Sequence, residues 1–92
     1  MHRFFIAVPH EGTTAACNRA IEVFLRTGSH FLTHADWGCK DGEHSAWIIV
    51  ETDSKEEARY VVPSAFRAGA KITGLNKFTM EQIDSIMSLH ER

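Results

Sequence analysis

Two short segments of the chain are apolar at every successive position: residues 4–8, with the sequence FFIAV, and residues 46–50, with the sequence AWIIV. A strand with one face in water alternates apolar and polar residues, so a strand that is apolar throughout needs cover on both faces. A chain of 92 residues has little material for two covering layers. We therefore expect a second polypeptide, most simply another copy of the chain, to cover one side of the sheet.

The hydrophobic and polar positions predict one domain over residues 1–92, with the element order βαββαβ and a final helix. The predicted strands span residues 3–8, 29–37, 44–52 and 70–78. Capping boxes at Ser54 and Thr79 predict the starts of the last two helices, and Pro63 predicts a break near Val62. This order is that of a ferredoxin-like α+β fold, an antiparallel sheet in which the first and third strands are central.

The alternation along the strands also predicts what each face of the sheet carries. The plain aliphatic side, which suits packing under the helices, consists of Phe4, Ile6, Val8, Ala46, Ile48 and Val50. A tight turn at residues 41–42 sets Asp36 opposite Trp47 and so fixes the other side. That side carries Phe5, Ala7, His34, Asp36, Trp47 and Ile49. An apolar wall with a few polar groups is typical of a small-molecule pocket.

The leading interpretation of this pocket is a homodimer that binds a small molecule between its sheets, with Phe5, Trp47 and Ile49 as ligand contacts. A histidine beside a carboxylate can act as a base that the carboxylate holds in one tautomer. The alternative is therefore a small acid–base enzyme, a lyase or isomerase, that uses His34 and Asp36 as catalytic residues. In a plainer interpretation both residues lie on a solvated edge strand, where polar side chains discourage aggregation.

A second kind of chemistry lies beside the predicted turn. The Asp-Gly pair at residues 41–42 favours a two-residue turn, which places Cys39 opposite His44. A neighbouring Cys and His can bind a borderline-soft cation such as zinc, and a register slip by one residue would add His34 or Asp36. The other alternative is therefore a structural or metal-binding module with Cys39 and His44 as ligands. The sequence identifies no cofactor.

Composition narrows the set of partners. Ten basic and twelve acidic residues leave a formal charge of −2 without a Lys/Arg cluster, which argues against a nucleic-acid groove. No apolar segment approaches the ~18 residues that span a bilayer, so we expect no membrane partner. Two cysteines that spacing does not pair indicate reduced thiols in the cytoplasm. Cys17 is interpreted as a small core residue and His10 as a solvated loop residue.

Part of the chain resembles a known family. Residues 48–58, IIVETDSKEEA, and residues 63–70, PSAFRAGA, resemble the second half of YCII-related proteins. More generally they resemble the small dimeric α+β-barrel proteins of ferredoxin-like fold, many of which have no known function. The resemblance implies a homodimer in which two sheets face each other around a pocket. Residues 9–12, PHEG, depart from the family's opening, so its His and Asp acid–base pair is not transferred to this chain.

Overall fold

The computed structural model of the protein describes residues 1–27 and 29–90. Its strands are β1 (His2–Pro9), β2 (Asp36–Trp37), β3 (Ser45–Thr52) and β4 (Lys71–Leu75). Its α-helices are α1 (Thr14–Thr27), α2 (His30–Thr33), α3 (Lys55–Val61), α4 (Ser64–Arg67) and α5 (Met80–His90). Residues Cys39–Asp41 form a short 3-10 helix. Among the described residues, no helix has the length and apolar character needed to cross a membrane.

The four strands form one antiparallel sheet in the order β2-β3-β1-β4. This confirms a mixed α+β fold with the two continuously apolar strands at the centre of the sheet. Strands β1 and β3 pair over their whole length, from His2 opposite Thr52 to Pro9 opposite Ser45. Strand β2 pairs with β3 in the predicted register, with Asp36 opposite Trp47. Because Pro9 pairs with Ser45, the end of β1 lies beside the start of β3.

One face of the sheet packs against the helices and forms the core. Its buried residues in β1 and β3 are Phe4, Ile6, Val8, Ala46, Ile48 and Val50, which confirms the predicted aliphatic side. The helices contribute Phe24 from α1, Leu32 from α2 and Ala58 from α3, all of them almost fully buried. Burial of apolar surface stabilises a fold by about 25 cal/mol per Å². This core fixes the ends of β1 and β3 relative to α1.

The opposite face of the sheet is only partly covered. Phe5, Ala7 and Trp47 are half-buried there, and Ile49 keeps 56% of its surface exposed. Helix α5 makes no extensive contact with another described element, and its apolar residues Met80 and Met87 are exposed. Within this chain, helix α5 therefore does not cover the second face of the sheet.

Local signals set the helix boundaries. At the start of α3, Ser54 Oγ accepts a hydrogen bond from the Glu57 amide at 3.1 Å. At the start of α5, Thr79 and Gln82 each accept a hydrogen bond from the other's amide through the side chain. The capping box at Thr79 is thus confirmed, and so is the Ser54 cap, although the Glu57 carboxylate accepts from the Asp53 amide at 3.2 Å and not from the Ser54 amide. Pro63 separates α3 from α4, as predicted, because its ring disrupts a continuing helix and it has no N–H to donate.

The predicted strand over residues 29–37 is wrong in its first part. Residues His30–Thr33 form helix α2, and only Asp36–Trp37 pair as a strand. A single helical turn directs Leu32 into the core, where it is 1% exposed. A strand would instead have directed alternate residues of the whole segment to the sheet face. The fourth strand is also shorter than predicted and spans only Lys71–Leu75.

Candidate metal centre

Two histidines meet where β1 ends beside the start of β3. Beyond the last ladder pair, Pro9 opposite Ser45, the His10 amide donates a hydrogen bond to the His44 carbonyl oxygen at 3.0 Å. The antiparallel pairing thus continues for one more residue and sets the histidines across from each other. Their rings lie edge to face with 5.7 Å between centroids.

The loop between β2 and β3 brings Cys39 to the same place. The Gly38 amide donates to the Ser45 carbonyl oxygen at 3.1 Å, and the Gly38 carbonyl oxygen accepts from two amides farther along the loop. These bonds close a compact turn that begins with the 3-10 helix Cys39–Asp41. Gly42 ends that helix with a φ of 82°, a left-handed conformation that glycine adopts without steric cost.

This loop replaces the predicted two-residue turn at residues 41–42, which is wrong. The predicted proximity of Cys39 and His44 is nevertheless confirmed, because the folded loop returns Cys39 towards the start of β3. Cys39 Sγ lies 3.2 Å from His10 Nε2. One donor atom from each of Cys39, His10 and His44 lies within 4.8 Å of the other two. His10 is half-buried in this cluster, so its interpretation as a solvated residue is wrong.

Helix α1 brings a second cysteine to the edge of the cluster, next to Cys39. Thr13 Oγ1 accepts a hydrogen bond from the Ala16 amide at 3.1 Å and fixes the first helical turn. Cys17, which follows Ala16, faces inward and is 8% exposed. In the structure Cys17 and Cys39 form a disulfide, which links α1 to the β2–β3 loop. The expectation of two unpaired thiols is therefore wrong for the disulfide-bonded form described by the structure, and Cys17 is not a simple core residue.

The surroundings favour a neutral ring at His10. Burial, and secondly the neighbouring His44, lower the pKa of His10 below its ordinary value of 6.5. A neutral ring is the form that binds a metal. The Nδ1 atoms of His10 and His44 are buried and have no hydrogen-bond partner among the described residues. A buried polar atom without a partner is costly, so such atoms point to a place where a ligand or ion fits.

The site has an apolar wall on one side and solvent access on the other. The Trp37 ring centroid lies 6.0 Å from that of His10 and 4.9 Å from that of Phe24. On the solvent side, a cavity of about 210 Å³ lies between α1 and the loop and is lined by both cysteines and His44. A small ion or solute therefore has a route to the two sulfur atoms without unfolding of the chain.

The residues predicted to line a small-molecule pocket are not gathered into one site in the single chain. His34 and Ile49 line a surface cavity of about 320 Å³ between α2 and β3. The lining of that cavity includes none of Asp36, Phe5 and Trp47. His34 and Asp36 are both exposed, as the plainer interpretation expects, but only Asp36 lies on the edge strand and His34 ends helix α2.

Sequence reasoning missed His10 and Cys17, although each had a signal. The central positions of β1 and β3 predict that these strands pair. If the observed register is extended by one residue beyond Pro9, His10 lies opposite His44. Cys17 lies on the apolar stripe of α1 in the turn next to the same end of the sheet. Neither residue belongs to a short motif, because the donors come from three separate segments of the chain.

Comparison of the chain with protein-family models, with curated proteins and with solved structures gives no match. The resemblance to YCII-related proteins therefore stays a prediction.

Proposed function

We propose that this protein is a zinc-binding module. Its ligands are His10, Cys17, Cys39 and His44, with both cysteines reduced. The observation that carries the proposal is the convergence of donor atoms of Cys39, His10 and His44 within 4.8 Å of one another. Thiolate and neutral imidazole are the donors typical of structural zinc sites. Reduction of the disulfide frees the second thiol next to Cys39, because the two sulfur atoms are bonded partners.

The spacing of Cys39 and His10 suits a tetrahedral ion. Zn–S distances of ~2.3 Å and Zn–N distances of ~2.0–2.1 Å place sulfur and nitrogen ligands roughly 3.5 Å apart. Cys39 Sγ and His10 Nε2 are separated by 3.2 Å, so an ion between them requires only a small movement. Coordination of His44 through Nδ1 would also give that buried atom the partner it lacks.

The donor set favours a stabilising role over a catalytic one. Four protein ligands leave no open position for a reacting water, which is typical of structural zinc. The four ligands come from the end of β1, from α1 and from the loop that leads into β3. The ion would therefore hold three chain segments together at one end of the sheet. Because the unfolded chain has no preformed site, zinc binding adds to the free energy of unfolding.

The zinc-bound form requires a reducing compartment. Cytosolic thiol systems keep cysteines reduced, whereas disulfides persist in oxidising compartments. We therefore propose that the zinc-bound protein, in which Cys17 and Cys39 are reduced, is located in the cytoplasm.

A zinc competition titration tests the proposal. The full chain is reduced with a phosphine under anaerobic conditions, and zinc is titrated in the presence of a chromophoric chelator. We expect one tight site per wild-type chain and a loss of affinity of roughly 100-fold or more in His10→Gln and in Cys39→Ser. The matched control is His2→Gln, at the exposed opposite end of β1, which retains the wild-type affinity.

A competing zinc site on the surface has to be distinguished from this one. The His30 and His34 rings lie 4.7 Å apart at helix α2 and can chelate an ion as a pair. Loss of tight binding in His30→Gln/His34→Gln with retention in His10→Gln would overturn the proposal. Absence of zinc uptake by the reduced wild-type chain would overturn it as well.

A second candidate function is favoured by the outer face of the sheet. We propose that two ferredoxin-like chains pair through this face as an α+β-barrel homodimer and bind a small molecule between the sheets. Ile49 is 56% exposed there, opposite its half-buried cross-strand partner Phe5. Exposed large apolar residues on a sheet face are typical of an interaction surface. In such a dimer His34 would contact the ligand, and acid–base chemistry would require Asp36 to approach it.

A further inference from the structure

We propose that a hydroperoxide controls the occupancy of the metal site: oxidation joins Cys17 to Cys39 and releases zinc. This inference rests on the proposed zinc site and adds a redox response to it. The sulfur of Cys39 is bonded to that of Cys17 and also lies 3.2 Å from His10 Nε2. One sulfur atom cannot be a thiolate ligand and half of a disulfide at once, so the two states exclude each other.

The disulfide removes both sulfur ligands and leaves two imidazoles. Loss of a single outer-shell partner already lowers metal affinity roughly 10–100-fold, so we expect loss of two ligand atoms to lower it at least about 100-fold. His10 and His44 remain beside each other in the disulfide-bonded structure, with 5.7 Å between ring centroids. The backbone at both histidines is held by the pairing of β1 with β3, so we expect reduction to restore a complete site without rearrangement of the sheet.

The reaction balances with a hydroperoxide, such as hydrogen peroxide, as the only added oxidant. A Cys39 thiolate attacks one peroxide oxygen, the O–O bond breaks, and the departing hydroxide takes a proton to become water. This step leaves a sulfenic acid on Cys39. The Cys17 thiolate attacks that sulfur, forms the S–S bond and expels a second hydroxide, which is also protonated. The two thiolates lose two electrons, the peroxide gains them, and zinc leaves as a divalent ion.

Exposure assigns the roles of the two cysteines. Cys39 is half-buried at the margin of the solvent-facing cavity, whereas Cys17 is buried in α1 with 8% of its surface exposed. Susceptibility to oxidation follows thiolate character and access. Cys39 is therefore the sulfur that meets the peroxide, and Cys17 is the resolving thiol.

The change is local, because the disulfide and the ion join the same parts of the chain. The disulfide links α1 to the β2–β3 loop, and the fold is complete in that state. A small zinc-dependent domain, by contrast, unfolds when its metal leaves. Oxidation of this protein therefore releases zinc while the secondary structure is retained.

The test starts from the full chain, reduced and loaded with zinc. Hydrogen peroxide is added in steps, zinc release is followed with a chromophoric chelator, and the disulfide is mapped by mass spectrometry after alkylation of free thiols. We expect one zinc ion released for each Cys17–Cys39 disulfide, an unchanged far-ultraviolet circular dichroism spectrum, and rebinding of zinc after phosphine reduction. In Cys17→Ser, Cys39 is instead trapped as a sulfenic acid by dimedone.

The outcomes separate the two proposals. Failure of the reduced wild-type chain to bind zinc contradicts the zinc site itself. Zinc that binds but remains bound after the Cys17–Cys39 disulfide has formed contradicts only the redox inference. Zinc release without that disulfide contradicts the redox inference as well. If Cys17→Ser does not fold, the mapping of the wild-type chain decides between these outcomes.

Discussion

The His10 amide donates a hydrogen bond to the His44 carbonyl oxygen at 3.0 Å, one residue beyond the last ladder pair of β1 and β3. This bond sets the two imidazoles edge to face beside Cys39. The histidines are thus held by the two central strands, whose alternate side chains form the core. Helix α1 and the β2–β3 loop bring Cys17 and Cys39 to this end of the sheet.

Gly38 precedes Cys39 and has no room for a side chain. A Cβ at this position would overlap the Trp47 ring and lie 2.7 Å from the Glu43 carbonyl oxygen. Gly38→Ala therefore lowers the free energy of unfolding by roughly 1–3 kcal/mol, the usual cost of overpacking, and weakens zinc binding because Cys39 shifts. Urea denaturation and the zinc titration measure the two effects.

The control for that substitution is Gly69→Ala. No atom lies within 4 Å of the Cβ that this change adds, and Gly69 does not have a positive φ. Its free energy of unfolding should differ from the wild type by less than about 0.5 kcal/mol. Equal effects of the two glycine substitutions would contradict the packing argument at Gly38.

Much of the fold can be predicted from the sequence because its signals are local. Continuous apolar residues at 4–8 and 46–50 predict the central strands, and Ser54 predicts the start of α3. The segment 29–37 is misassigned because a single helical turn is too short to establish a helical period. Its structure is decided by tertiary packing, which directs Leu32 into the core.

Only half of the candidate site follows from the sequence. Cys39 and His44 are close in the chain, so a turn prediction brings them together even though the turn type is wrong. His10 reaches the site through the register between two distant strands, and Cys17 through the packing of α1 on the sheet. Such relationships depend on the whole fold, and no short motif displays them.

The lowered pKa of His10 makes the stability of the metal-free, disulfide-bonded chain depend on pH. Unfolded His10 takes up a proton near pH 6.5, whereas the folded chain does so only at lower pH, because burial and the facing His44 disfavour the charge. The unfolded state therefore binds more protons in this window. The stabilisation is complete above pH 6.5 and is lost as the pH falls towards the folded pKa.

Urea unfolding of the metal-free chain across this window measures the effect. We expect the free energy of unfolding to fall with decreasing pH more steeply in the wild type than in His10→Gln, which lacks the titrating ring. Parallel pH profiles of the two proteins would show that His10 is not the group responsible.

The exposed sheet face predicts a homodimer that depends on Ile49. Sedimentation velocity should show a dimer for the wild type and a monomer for Ile49→Glu, because an apolar interface does not accept an unpaired carboxylate. Leu25→Glu is the matched control: Leu25 on α1 is 55% exposed, against 56% for Ile49, and lies away from this face. A wild-type chain that stays monomeric at high concentration would contradict the dimer.

X-ray absorption spectroscopy at the zinc edge of the reduced, zinc-loaded wild-type chain tests the metal centre most directly. We expect two sulfur atoms at ~2.3 Å and two nitrogen atoms at ~2.0–2.1 Å from the ion. These atoms belong to Cys17, Cys39, His10 and His44. A first shell that contains only nitrogen and oxygen would contradict this assignment.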